Sequence, residues 1–194
     1  MSGPARRRAA GISGLLFCGG LAGIAAEALT LDYSVERALW LARGSGVLAL
    51  ALLLGALSVT PWLRLRALGG ARSRPPIYAA LRRALGLAAA AAGLVHLLLI
   101  TQGGLWVGPE ALILEPQLRS GAGALAILGL LAATSSPGPL QVRSWKSLHR
   151  LVYGAALLVL HHVYLSPLAS PAWLAALAGT LLLSALLRVS QRSS

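Results

Sequence analysis

Residues 144–165 read SWKSLHRLVYGAALLVLHHVYL, an almost wholly apolar run that nevertheless carries His149 near its start and His161 and His162 near its end. About 20 residues of helix cross the hydrocarbon core of a bilayer, and this run is long enough to do so. Imidazoles are costly in such a segment, so they are expected to face a protein interior and to have a task there. What that task is depends on what surrounds the run.

The chain of 194 residues is 57% hydrophobic and only 11% charged, against about half and about a quarter in soluble domains. Besides 146–165, apolar runs lie at about 11–26, 44–61, 77–102, 120–134 and 171–187. The expected architecture is therefore an all-α integral membrane bundle of six transmembrane helices. It forms one domain over 1–194, with a basic N-terminus at 1–10, a short tail at 188–194 and no room for a soluble domain. Run 11–26 also reads as a signal peptide, because arginines at 6–8 precede it and Ala-Ala-Glu-Ala follows. A retained helix is preferred, since an even number of spans fits the charges.

The formal net charge of +12 is unevenly spread. With the N-terminus in the cytoplasm, the basic residues at 6–8, 64–83, 143–150 and 188–192 fall inside, and only Arg37, Arg43 and Arg119 fall outside. The acids Glu27, Asp32, Glu36, Glu110 and Glu115 all fall outside. This is the positive-inside bias, and it places both termini in the cytoplasm. The charge thus serves topology and contact with anionic membrane lipid, and nucleic acid is not an expected partner. Trp40, Trp106 and Trp173 fall at outer ends and Trp62 and Trp145 at inner ends, where indole rings prefer the headgroup level. The lone cysteine, Cys18, is expected to pack as a small hydrophobe, and Gly19 with Gly23 to permit close helix approach.

His96 lies near the outer end of the third run and His162 near the outer end of the fifth. Both runs point outward, so the two histidines share a depth. Arg83 is thirteen positions before His96, and His149 thirteen before His162, an axial interval of roughly 20 Å. Two neutral imidazoles facing each other across an apolar gap suit a six-coordinate haem iron. Ala89, Ala92 and Gly93 lie on the face of His96 and would line the approach of a flat macrocycle. No acidic residue lies within the runs to orient a histidine for nucleophilic catalysis.

Other readings stand beside this one. His96 taken alone equally suits a hydrogen bond to a carbonyl across helices. His149, after Trp145 and Lys146, suits a wet interface. His161 points about 100° away from His162 and suits a headgroup or packing role. Arg82 and Arg83 suit snorkelling anchors. Thirteen residues leave His149 and His162 about 140° apart in azimuth, so periodicity does not put both on one stripe.

The block W-K-S-L-H-R-L-V-Y at 145–153, with a second histidine thirteen positions after the first, resembles the ferric-reductase-like transmembrane domain. Ser45-Gly46, the VTP of 59–61 and the LRRALGL of 81–87 leading to His96 add to it in order, over about 44–165. Ferric reductases and NADPH oxidases carry two histidines on each of the two helices. Arg83 stands here where the third helix would have its inner one. In that departure the chain is most similar to the MsrQ-type subunits of bacterial periplasmic methionine sulfoxide reductase systems.

The resemblance implies that His96, His149 and His162 are haem-associated iron-binding histidines, with His96 and His162 the axial pair of an outer b-type haem. His149 would serve a second haem, or an electron input site where Arg83 meets a propionate or a flavin phosphate. FMN is implied by the resemblance alone, since no flavin motif is visible. The implied role is an inner-membrane electron-transfer subunit, not the catalytic one. It would take electrons from the quinone pool or a cytoplasmic flavin reductase and pass them to a periplasmic molybdopterin-containing methionine sulfoxide reductase subunit, docking through outer loops such as 103–119. A metalloreductase working with a separate reductase is one alternative. A haem-free membrane scaffold or small transporter is another, made less attractive by the lack of a mid-membrane acid or broken helix.

Overall fold

The computed structural model describes residues 35–68, 76–102, 109–135, 148, 150–166 and 170–190, and isolated positions 11, 15, 18–20 and 22–23. All the secondary structure of the described residues is helical. The helices are α1 (Val35–Leu68), α2 (Pro76–Gln102), α3 (Pro109–Leu114), α4 (Pro116–Ser135), α5 (Leu151–Leu165) and α6 (Pro171–Ser190). Three of them contain segments long and apolar enough to cross a membrane, namely Arg37–Ala67, Ile77–Thr101 and Pro116–Ser135. Leu151–Leu165 and Pro171–Leu187 are apolar but shorter. Six spans are expected, and among the described residues three helices have the full length. Most of run 11–26 and the start of run 146–165, including His149, lie outside the described residues.

Several boundaries differ from the sequence expectation. Helix α1 does not stop at Pro61 but passes through it to Leu68. A proline inside a helix removes one N–H and crowds the preceding turn, which membrane helices tolerate where neighbours support the backbone, and Pro61 is buried. Helix α4 starts a turn earlier than expected, with Pro116 at its first position, where a missing N–H is harmless. Between α2 and α4 lies the extra helix α3, which displays Ile113 and Leu114.

Helices α1 and α2 form an antiparallel hairpin. Arg66 meets Tyr78, Thr60 meets Arg82, Gly55 meets Leu85, and Gly46 meets His96, so descent along one helix is ascent along the other. Helices α4 and α5 form a second, in which Gly123 faces Leu158 and Gly121 faces His162. Gly93 on α2 lies against Leu125 on α4 and joins the two, while α6 rests on α1 and α5. His96 on α2 lies beside His162, which packs on Gly121, whereas Gly93 meets Leu125, so α2 is antiparallel to α4 and runs in the same direction as α5.

The packing is that of a membrane protein. The interior is built from Leu50, Leu53, Leu57, Leu85 and Leu177 together with small residues such as Ala89, Ala92 and Ala156. Ala92, Ala155 and Ala156 are 0% exposed, whereas Leu94, Leu157, Leu182 and Leu186 are each more than half exposed. Water-soluble chains do not leave so many leucines outside. With lipid as solvent, small residues move to the helix contacts because they allow close approach. Two smaller expectations need correction. Among the described residues, a Cβ on Gly20 would meet Leu48, while one on Gly19 or Gly23 would meet nothing within 4 Å. Cys18 is exposed rather than packed inside.

Candidate functional site

His96, near the end of α2, and His162, near the end of α5, come together between the two hairpins. Their ring centroids are 6.3 Å apart and the ring planes meet at 82°. Each ring is anchored by the first helix of its own hairpin. Nδ1 of His96 lies 2.7 Å from the carbonyl oxygen of Ala42, and Nδ1 of His162 lies 2.8 Å from that of Gln117. A carbonyl only accepts, so Nδ1–H donates in both, and a neutral imidazole then keeps its lone pair on Nε2, on the opposite flank. Metal-binding imidazoles are oriented in this way.

Local sequence explains how two helical carbonyls come to be open to a side chain. In a helix each Cα–Cβ bond tilts toward the N-terminus, so a residue covers the turn before its own Cα. The carbonyls of Ala42 and Gln117 are therefore screened by the residues three and four positions later. These are Ser45-Gly46 in one case and Ser120-Gly121 in the other. A Cβ on Gly46 would sit 3.0 Å from Cε1 and 3.1 Å from Nδ1 of His96. One on Gly121 would sit 2.8 Å from Nδ1 and 3.0 Å from Cε1 of His162. Each ring thus occupies the space a side chain would take. The serines bend back: Ser45 Oγ donates to the Ala42 carbonyl at 2.9 Å and Ser120 Oγ to the Gln117 carbonyl at 2.8 Å. Both serines are buried.

The same cradle is therefore built twice, from Ala42–Ser45–Gly46 and from Gln117–Ser120–Gly121. Of the two Ser-Gly steps, only Ser45-Gly46 is singled out by the sequence resemblance. The available signal was a second Ser-Gly step at the start of the other hairpin's first helix.

The remaining expected residues lie elsewhere. Arg83 is half-buried toward the other end of α2, thirteen residues or roughly 20 Å along the axis from His96. Its neighbour Arg82 donates to Thr60 Oγ1 at 3.4 Å. His149 is outside the described residues. His161 is exposed and lines an open apolar groove with Leu157, Tyr164 and Leu174, so it turns away from the pair.

The centroid distance of 6.3 Å would allow both imidazoles to reach one metal ion. A metal–nitrogen bond of about 2 Å on each side, plus about 1.1 Å from nitrogen to ring centre, puts two such centroids about 6 Å apart. Among the described residues no cluster of three or more His, Cys, Asp or Glu could hold a metal. Two imidazoles are the number of protein ligands that a haem iron can take. Ala92, one turn before His96 on the same helix face, is small and 0% exposed.

No curated protein and no solved structure matches the chain. A family model described as "Ferric reductase like transmembrane component" matches residues 39–160, well over half of the chain. The match takes in α1 from residue 39 onward, α2, α3, α4 and α5 up to residue 160, with both Ser-Gly cradles and His96, and ends two residues before His162. With its helical hairpins and its matched length, the chain belongs to the ferric reductase-like transmembrane component family.

Proposed function

We propose that this chain is a haem b electron-transfer subunit of the bacterial inner membrane. It takes electrons from the quinone pool or a cytoplasmic flavin reductase and delivers them to a periplasmic molybdenum-containing methionine sulfoxide reductase subunit. The observation that carries the reading is the His96–His162 pair, 6.3 Å apart, with both Nδ1 atoms turned onto backbone carbonyls. Family membership supports a membrane electron-transfer component.

His96 and His162 would hold the iron from its two faces, and a haem so bound supplies one-electron exchange. The carbonyls of Ala42 and Gln117 fix each imidazole's tautomer and direction. Fully buried alanines and the leucine interior keep water from the site. Arg83, and His149 on the sequence resemblance, serve the cytoplasmic level as electron input, beside a propionate or the phosphate of an FMN. The orientation follows from charge: Arg64, Arg66, Arg82 and Arg83 gather at the end opposite the histidine pair, while Glu110 and Glu115 lie at the pair's end.

The test is expression with ample haem, purification and absorption spectroscopy. The expected result is a low-spin bis-imidazole spectrum that is lost in both His96→Ala and His162→Ala. A wild-type protein without a Soret band refutes the proposal. Reoxidation of the reduced haem by the sulfoxide reductase subunit, compared with ferric iron, separates the proposed role from a metalloreductase one.

A further inference from the structure

We infer that Ser45 and Ser120 are positioning residues that set the donor strength of the two imidazoles, and through it the haem potential. This rests on the haem reading of the site. Each carbonyl that receives an Nδ1–H also receives a serine hydroxyl: Ala42 O takes His96 at 2.7 Å and Ser45 at 2.9 Å, and Gln117 O takes His162 and Ser120, both at 2.8 Å. A carbonyl oxygen has two lone pairs, and inside a helix it already faces the N–H four residues on. An acceptor shared in this way pulls less on the imidazole proton. The ring then has less imidazolate character, gives less charge to ferric iron, and leaves the ferrous state relatively easier to reach. The arrangement is made twice, on two helices, with the serine three residues after the carbonyl each time.

The cradles differ in one contact. Ser45 Oγ also lies 3.4 Å from Nδ1 of His96, so its oxygen offers the same N–H a weak second acceptor. Removing that hydroxyl frees the carbonyl and withdraws the second acceptor together, and the two effects oppose. The Ser120 hydroxyl therefore has the larger influence.

The experiment is spectroelectrochemical titration of the purified full-length protein, with electron paramagnetic resonance of the ferric form, for wild type, S120A, S45A and S120C. In S120A the ferrous-to-ferric ratio at fixed ambient potential falls about threefold, a shift of about 28 mV at 59 mV per tenfold, and the ferric g values move. S45A shifts the same way by less, and S120C, a weaker donor of nearly the same shape, falls between S120A and wild type. Haem-loaded variants with unchanged potentials and g values overturn the inference while leaving the haem site standing. Loss of haem from both S120A and S120C overturns it too, because the hydroxyl would then be holding the fold together. A wild type without haem removes the reading beneath it.

Discussion

The tighter of the two glycine–imidazole approaches gives the sharpest test, Gly121→Ala. The added methyl carbon would lie 2.8 Å from Nδ1 of His162, against an ordinary contact of 3.4 Å. The ring must therefore retreat by about 0.6 Å in an interior packed like a crystal. A retreat of that size stretches the Nδ1···Gln117 O hydrogen bond from 2.8 Å toward about 3.4 Å, beyond the usual N–H···O range. Metal–ligand bonds tolerate only about 0.2 Å, so the imidazole cannot hold its anchor and an iron together. Overpacking costs about 1–3 kcal/mol, and the gain from replacing glycine inside a helix offsets about 1 of it. The variant should fold. Haem affinity should fall about 10–100-fold, as when the partner of a metal-binding imidazole is lost. Gly46→Ala meets His96 at 3.0 Å, a smaller shortfall, and should be the milder of the two. Gly129→Ala, on the same helix as Gly121 with nothing within 4 Å, is the control and should bind haem as wild type does. The assay is transfer of haem to excess apomyoglobin, followed by absorbance, with circular dichroism to verify helicity. A Gly121→Ala protein with wild-type haem affinity and spectrum would refute the cradle as the device that positions His162.

Three further outcomes are expected. His161→Ala should leave the haem spectrum unchanged, because His161 is exposed beside the groove with Leu157 and Tyr164; absorption spectra of the purified variant check this. Gln117→Ala should also keep the spectrum, since the contact to His162 is to the backbone carbonyl, and a shifted Soret maximum would contradict it. Ala156→Leu introduces three heavy atoms where exposure is 0% and should destabilise by about 1–3 kcal/mol or more, read as a lower unfolding temperature in detergent.

The sequence determined the long apolar helices and the shared depth of His96 and His162. Depth is an axial quantity: at about 1.5 Å per residue, counting from one end of an apolar run is enough. That is why His96 and His162 could be paired from sequence while Arg83 could be placed at the opposite end. The small residues around His96 were equally legible, because lipid leaves only close packing to hold helices together. What the tertiary structure decided is azimuth and backbone partnership. Which face of α1 meets His96 depends on how the neighbouring helix is rotated, and no run of letters fixes that. The atoms that anchor the rings are carbonyls, which every residue possesses. Ala42 and Gln117 therefore carry no mark of their role, and only the absence of a side chain at Gly46 and Gly121 betrays it. In the sequence, a histidine that bonds a carbonyl across helices and a histidine that binds a metal are rival readings. Folded, one ring has a nitrogen for each.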